Sequence, residues 1–281
     1  MAGVAFVTDS ASDLDPAVAR AAGIRIVPLS VTFGDESFRA GVDLSTDEFW
    51  TRMTAPNAPF PKTAASSPGE FKAVYDEAFA DGAEAIVSIH VSGLLSGAFK
   101  SAEIAKGMLP DREIHLVDSQ GASMAEGILA FMGLEMAKDG VSAAEIARIL
   151  NDRARDLRMY VSLETLEYLK KDGRISGTQA ALGNLLSVKP IIAVEAGKVE
   201  TADKPRTRSK SRERCIELIC ARPIERIAIL HTMAPDVNEF RDEVVRRSGV
   251  DPSTVMVSIV GASVGPHLGP GCVGAAVLYK R

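Results

Sequence analysis

In the first half of the chain, short hydrophobic runs alternate with stretches that have the periodicity of helices. Four of the runs are predicted to be strands because they are rich in apolar residues and are bounded by turn-forming residues. Strands that alternate with helices pack as a parallel sheet flanked by those helices, so this architecture is predicted for the first half. The predicted strands are Gly3–Val7, Ile24–Phe33, Glu84–Val91 and Glu113–Ser119.

Three serine residues mark the predicted beginnings of helices. Each is followed three positions later by a glutamate, which is the spacing of a capping box. The pairs are Ser45 with Glu48, Ser67 with Glu70, and Ser142 with Glu145.

The pattern changes near residue 157. Residues 159–194 read as strand, helix, turn, helix and strand, and a hairpin is predicted to turn at Glu195–Lys198 around Gly197. A hairpin within a strand–helix series indicates a mixed sheet. We therefore predict an α/β protein of two domains: a parallel α/β domain over 1–157 and a mixed α/β domain over 158–281.

Composition narrows the possible functions of this chain. Of its 281 residues 46% are hydrophobic and 25% are charged, as in ordinary globular proteins, and the net charge of −5 argues against a nucleic-acid partner. The three cysteines form no C-x-x-C pair, so no metal site and no disulfide framework is predicted. Neither a signal peptide nor a transmembrane segment is recognisable, which predicts a cytoplasmic protein.

Hydroxyl-bearing loops follow the predicted strands of the first half. Ligands of open parallel sheets bind at the carboxyl ends of the strands, and helix N-termini there attract anions. The loops therefore predict a site for a carboxylate or a phosphate, although each loop alone could simply cap a helix. Asp9 could act as a base or metal ligand, or it could cap the following turn. The loops are Thr8–Ser12, Lys62–Pro68, Val91–Gly97 and Asp118–Ser123.

Two loops of the second half are also unusual. Arg174 follows Gly173, which is expected to end a helix, and His267 lies in the stiff stretch Gly261–Gly271. The sequence contains no P-loop, no G-x-S-x-G and no G-x-G-x-x-G after a strand, so no catalytic residue and no cofactor is predicted.

In this order and spacing, the motifs resemble those of the DegV family over nearly the whole chain. They are "TDS" (Thr8–Ser10), Thr63–Pro68, "SGLLSGAFKSA" (Ser92–Ala102), "DS" (Asp118–Ser119), "LEYLKKDGRIS" (Leu166–Ser176) and "GPHLGPG" (Gly265–Gly271).

The resemblance implies a bacterial lipid-binding protein that is not itself an enzyme and that holds a long-chain fatty acid between its two domains. It further implies a subunit of fatty acid kinase, in which a separate ATP-dependent kinase converts the presented carboxylate into an acyl phosphate for phospholipid synthesis. Thr63, Ser96, Gly97 and His267 would bind the carboxylate, and Arg174 would face the head group or the kinase. The loops around them would be supported by Asp9, Ser10, Ser92, Asp118 and Ser119.

Two stretches depart from the family pattern. Ala98 stands where a threonine is usual, and "TAASSP" replaces a more typical Thr-Ser-Gln-Pro-Ser, but Thr63 and Ser96 remain. The alternative to a binding protein is an enzyme that acts on a small anionic or acyl substrate in the same pocket. Such an enzyme would be a hydrolase that uses Ser96 or a phosphoryl transferase.

Overall fold

The computed structural model describes residues 3–174 and 188–281 and is an α/β protein, as predicted. Within these residues the strands are β1 (Val4–Asp9), β2 (Ile24–Val27), β3 (Ser30–Phe33), β4 (Glu36–Arg39), β5 (Lys62–Ala64), β6 (Ala85–His90), β7 (Glu113–Asp118), β8 (Leu157–Ser162), β9 (Ile191–Glu195), β10 (Lys198–Asp203), β11 (Ile224–His231), β12 (Met256–Ile259) and β13 (Val273–Tyr279). The helices are α1 (Pro16–Ala22), α2 (Thr46–Met53), α3 (Pro68–Ala80), α4 (Ala98–Gly107), α5 (Met124–Lys138), α6 (Ala143–Arg153), α7 (Glu167–Asp172), α8 (Arg208–Ile219), α9 (Val237–Ser248) and α10 (Gly265–Leu268).

The first sheet is parallel, which confirms the prediction. Its strand order is β2-β1-β6-β7, and every pair in it is parallel. The predicted helix starts are confirmed as well. Ser45, Ser67 and Ser142 each accept a hydrogen bond from the backbone three residues on, and at Ser67 the glutamate side chain completes the capping box.

The predicted strand Ile24–Phe33 was wrong as a single strand. Proline has no N–H to donate to a ladder, and Pro28 separates β2 from β3. The chain leaves the parallel sheet at this point, and β3 becomes the centre of a small antiparallel sheet of order β4-β3-β5. This third sheet was not predicted, and its strand β5 carries Thr63.

The second sheet is mixed, as predicted, with the order β10-β9-β8-β13-β11-β12. Only the pair β11–β12 is parallel. The hairpin between β9 and β10 turns at Ala196 and Gly197, whose φ values of 49° and 75° fit the mirror-image turn that joins twisted strands. The helix predicted after Arg174 lies outside the described residues.

Helix α5 lies between the two sheets. It packs against β1 and β6 of the first sheet and against β8, β11 and β13 of the second. A helix covered on both sides needs apolar residues all around, and nine of its fifteen residues are buried. One hydrophobic cluster consequently includes residues of both sheets. The second sheet begins with β8 at Leu157, and the division into domains at 157/158 stays a prediction.

Trp50 on α2 ties the two halves together at a second place. Its ring is 1% exposed, and its indole N–H donates a hydrogen bond of 2.9 Å to the carbonyl of Val260. The ring also lies edge-on to Phe49. This contact joins α2, which lies between β4 and β5 in the sequence, to the loop that leads into α10.

Replacing Trp50 tests the importance of this contact. Trp50→Phe keeps an aromatic ring but leaves the buried Val260 carbonyl without its donor, so the free energy of unfolding should fall by about 1–3 kcal/mol. Urea denaturation monitored by circular dichroism measures the difference in the free energy of unfolding, because this signal does not depend on tryptophan fluorescence. Val42→Ala, at a side chain that is 59% exposed, is the control and should stay within about 0.5 kcal/mol of wild type. A Trp50→Phe variant as stable as this control would contradict the assigned role.

Candidate functional site

A cavity lies between the two sheets, and residues of both halves line it. Its apolar wall includes Leu29, Val91 and Leu95 from the first half and Met159, Ile192 and Val264 from the second. The space open to the centre of a water-sized sphere is about 110 Å³. One water needs only about 10–15 Å³ by this measure, so the cavity far exceeds an ordinary packing defect.

Strand β5 and helix α10 bring two predicted site residues together in the cavity wall. Thr63 Oγ1 lies 3.5 Å from His267 Nε2, at the outer limit of a hydrogen bond. Thr63 is fixed by the pairing of β5 with β3, where it stands opposite Val31. The two residues are distant in the sequence. Thr63 is placed against His267 by the small antiparallel sheet, which was not predicted from the sequence.

The loop before α4 adds Ser96 and Gly97 to the same wall. The Ser96 hydroxyl accepts a hydrogen bond of 3.2 Å from the N–H of Ala98, which orients it at the start of the helix. Gly97 is exposed, and a Cβ at this position would lie 3.5 Å from Cβ of Ala65, two residues after Thr63 on the neighbouring segment. The structure therefore brings Thr63, Ser96, Gly97 and His267 to one cavity.

Asp172 links His267 to Arg174. Its Oδ2 lies 2.6 Å from Nδ1 of His267 and 3.0 Å from Nη1 of Arg174. Burial raises the pKa of Asp172, but hydrogen bonding and charge from His267 and then from Arg174 outweigh burial, so its pKa is below the usual value. The carboxylate thus stays charged and leaves Nε2 of His267 directed towards Thr63. Arg174 also lines the cavity, with 40% of its side chain exposed.

The five predicted supporting residues occupy the loops behind this wall. Asp9 accepts a hydrogen bond from the N–H of Ala11 and lies 3.0 Å from Nδ1 of the buried His90, so it caps its turn and anchors β6. Ser10 accepts a hydrogen bond from the N–H of Leu29 at 2.8 Å. Among the residues that the structure describes, neither Asp9 nor Ser10 is part of the cavity wall.

Ser92, Asp118 and Ser119 likewise organise backbone. The Ser92 hydroxyl accepts from the N–H of Leu94, Asp118 accepts from the N–H groups of Gly93 and Gln120, and Ser119 pairs with Gly121. These contacts hold the loops after β6 and β7 against each other. Within the described parts of the chain these three residues also lie outside the cavity wall.

Sequence reasoning missed Asp13, whose side chain connects three segments. Oδ2 of Asp13 accepts a hydrogen bond of 2.5 Å from Ser123 Oγ, and Oδ1 accepts one of 2.8 Å from the N–H of Gly261. Its backbone carbonyl accepts from Ser258 at 2.7 Å. Burial raises the pKa of Asp13 to about 7, although the hydrogen bonds from Ser123 and Gly261 act in the opposite direction.

Glu126 is a second buried carboxyl group in this region. It is 0% exposed and accepts a long hydrogen bond of 3.3 Å from Thr8 Oγ1. Burial, and then the charges of Asp9 and Asp13, raise its pKa well above the usual value. The signal in the sequence was a glutamate in the first turn of a helix whose next eight residues are uncharged.

Among residues 3–174 and 188–281, no group of three or more His, Cys, Asp or Glu side chains is arranged to hold a metal ion. No helix in the same ranges is long and apolar enough to cross a membrane. The fold and the site together define a class of protein: an α/β protein of two main sheets that enclose an apolar cavity, with hydroxyl, imidazole and guanidinium groups where the wall reaches solvent.

Comparison with known proteins identifies the family. The model of the family described as "Uncharacterised protein, DegV family" matches residues 3–280, so the chain belongs to the DegV family, as its motifs predicted. A DegV domain-containing protein of Streptomyces coelicolor is 34% identical over 278 residues, and the match covers 98% of each protein.

Solved structures of the family have the same fold. A DegV family protein from Thermus thermophilus, described for its fatty acid binding, is 34% identical, with a TM-score of 0.89 and coverage of 99% of both chains. DegV from Bacillus subtilis, described as a fatty acid binding protein, is 29% identical, with a TM-score of 0.87 and full coverage of both chains.

The raised pKa of Asp13 predicts a pH dependence of stability. Between about pH 4 and pH 7 the folded protein keeps a proton on Asp13 that the unfolded chain has released. The contribution of this proton to the free energy of unfolding is therefore fully present below pH 4 and is lost as the pH rises through about 7. Asp13→Asn removes it, so the decline in the free energy of unfolding between pH 5 and pH 7 should be shallower by up to about 1.4 kcal/mol per pH unit.

Urea denaturation at pH 5, 6 and 7 measures this slope. Glu126 adds a decline of the same sign, so the slope of Asp13→Asn should be reduced and not abolished. The control is Asp139→Asn, which removes an exposed carboxylate and should leave the wild-type slope unchanged. An equal slope in wild type and Asp13→Asn would contradict the assignment.

Proposed function

We propose that this protein binds a long-chain fatty acid in the cavity between its sheets and acts in the cytoplasm as a carrier. The observation that carries the proposal is the cavity itself, whose wall is mostly apolar and includes a cluster of groups suited to a carboxylate. The fatty acid binding of the Thermus thermophilus and Bacillus subtilis proteins supports it. In this proposal the ligand is the only non-protein component, and no metal or cofactor takes part.

The acyl tail supplies most of the binding free energy in this proposal. Each methylene removed from water contributes about 0.8 kcal/mol, so a C16–C18 tail supplies roughly 10 kcal/mol before ordering costs. Side chains such as Val91, Ile192 and Val264 offer the apolar surface for it. Because the tail binds this strongly, the head group needs orientation more than it needs a strong ion pair.

The carboxylate is assigned to Thr63, Ser96, Gly97 and His267. The hydroxyls of Thr63 and Ser96 can donate hydrogen bonds, and the Gly97 N–H lies at the beginning of α4, where the helix dipole favours an anion. Oδ2 of Asp172 lies 2.6 Å from Nδ1 of His267, so the ring is held with Nε2 facing the ligand. The five supporting residues keep these loops in place.

Presentation to a separate ATP-dependent kinase is the second part of the proposal. Gly97 and Arg174 are exposed beside the cavity, so a carboxylate held there is within reach of a partner protein. Lys170 and Lys171 are also exposed and form a cationic surface with Arg174, which suits a phosphoryl group or an acidic partner. The product would be an acyl phosphate for phospholipid synthesis.

The head-group assignment is tested by removing one hydroxyl at a time. Thr63→Ala and Ser96→Ala should each weaken the binding of palmitate about 5- to 150-fold, because a lost hydrogen bond to a charged acceptor costs about 1–3 kcal/mol. Isothermal titration calorimetry on delipidated protein measures the affinity. Thr63→Ser, which keeps the hydroxyl, is the matched control. Wild-type affinity in both alanine variants would remove Thr63 and Ser96 from the site.

The role assigned to Arg174 separates presentation from binding. Arg174→Ala should retain bound fatty acid, because the tail makes no use of the charge, while acyl phosphate formation with a bacterial fatty acid kinase should fall at least tenfold. Lipid content, melting temperature and acyl phosphate yield are measured on one preparation, with Lys106→Ala, at an exposed lysine in the last turn of α4, as the control. If Arg174 only braces the end of α7 through Asp172, lipid and melting temperature will fall together. An undiminished acyl phosphate yield would equally refute this role.

A further inference from the structure

Ser123 has a backbone conformation that few residues other than glycine adopt. Its φ of 54° and ψ of −140° lie outside the regions that side chains allow without strain. It stands between β7 and α5, directly before the first residue of the helix, and it is 1% exposed. Strain of this kind persists where the surrounding structure imposes it, and it concentrates at functional sites.

Small residues on both sides of Ser123 allow this turn. Gly121 approaches Ala125 so closely that a Cβ on Gly121 would lie 2.7 Å from Cβ of Ala125. The segment Gly121–Ala125 therefore reads G-x-S-x-A. Small residues two positions before and after a strained serine, between a strand and a helix, are the features of the turn that exposes the nucleophile in α/β-hydrolases.

A carboxyl group lies next to the Ser123 hydroxyl. Ser123 Oγ is 2.5 Å from Oδ2 of Asp13, and the other oxygen of Asp13 is held by the N–H of Gly261. A nucleophile in contact with a base that a third group orients is the arrangement of covalent catalysis. Burial raises the pKa of Asp13 to about 7, which suits a general base that works near neutral pH.

The backbone also offers a donor for an oxyanion. Ala125 donates its N–H to Ala122 and Glu126 donates to Ser123, whereas the N–H of Met124, the first residue of α5, has no acceptor among the described residues. In the hydrolase turn it is the N–H after the nucleophile that binds the oxyanion. Ser123 lines the cavity together with Ala11 and Ala122, so an acyl group in the cavity can reach this part of the wall.

We propose that Ser123 is a nucleophile that takes the acyl group from an activated fatty acid, such as an acyl phosphate, held in the cavity with its leaving group at Thr63, Ser96, Gly97 and His267. The proposal rests on the proposed function in that the acyl tail occupies the same cavity. It adds a hydrolytic activity on the activated form of the ligand, at a residue other than Ser96.

The chemistry balances without a further cofactor. Ser123 Oγ bonds to the acyl carbon, its proton passes to the Asp13 carboxylate, and the bond between the acyl carbon and the phosphate oxygen breaks. Asp13 returns the proton to the departing phosphate, which leaves as hydrogen phosphate. Water then attacks the acyl-serine, Asp13 transfers a proton from that water to Ser123 Oγ, and free fatty acid is released. The N–H of Met124 stabilises the oxyanion in both steps.

The direct test uses delipidated full-length protein and two probes, a hexadecyl fluorophosphonate and chemically made palmitoyl phosphate. Intact-protein mass spectrometry should show one phosphonate adduct, which peptide mapping places on Ser123. Release of phosphate from palmitoyl phosphate should exceed the protein-free rate at least about 100-fold. Asp13→Asn should lower both rates about 100-fold or more while the protein stays folded.

Two serine variants complete the design. Ser123→Gly removes the hydroxyl but adopts the strained backbone easily, so it should fold, bind free palmitate with near wild-type affinity, and show neither adduct nor phosphate release. Ser101→Ala on α4 is the control and should react as wild type. A wild-type protein that binds palmitate but forms no adduct, or forms it on another residue, overturns this proposal and leaves the carrier function standing. Failure to bind palmitate refutes the carrier function instead.

Discussion

The cavity interrupts the hydrophobic core that both main sheets and helix α5 share. A void of about 110 Å³ forfeits dispersion contacts in its lining, at roughly 24 cal/mol per Å³ or about 2–3 kcal/mol in total. An unbranched acyl chain bound in the cavity would restore those contacts, so ligand and fold would stabilise each other. Residues of both halves form the cavity wall, and the packing of α5 and the Trp50 hydrogen bond join those two halves.

Each polar residue of the site is positioned by a different structural contact. Thr63 depends on the pairing of β5 with β3, Ser96 on the start of α4, and His267 on its contact with Asp172. Each group is held by a neighbour that does not itself need to touch the ligand. A carboxylate would therefore meet donors that are already oriented, and little ordering cost would remain for the head group.

Much of this arrangement could be predicted from the sequence. Buried runs such as Glu84–Val91 and the cap at Ser67 carry strong local signals, and the motifs of the DegV family identified Thr63, Ser96 and His267 as neighbours. The small antiparallel sheet was missed because strands of three or four residues show too little periodicity to recognise. Two further features arise only from tertiary structure and cannot be predicted from a local sequence pattern. They are the contact between Asp172 and His267 and the backbone strain at Ser123.

The central claim is that an acyl ligand completes the core of this protein. The most direct measurement is denaturing extraction of the purified protein followed by mass spectrometry of the released lipid, with delipidated protein incubated with palmitate as a second sample. The account predicts about one long-chain fatty acid per chain and a higher melting temperature in the loaded sample. A folded protein that carries no fatty acid and whose melting temperature does not respond to palmitate would contradict it.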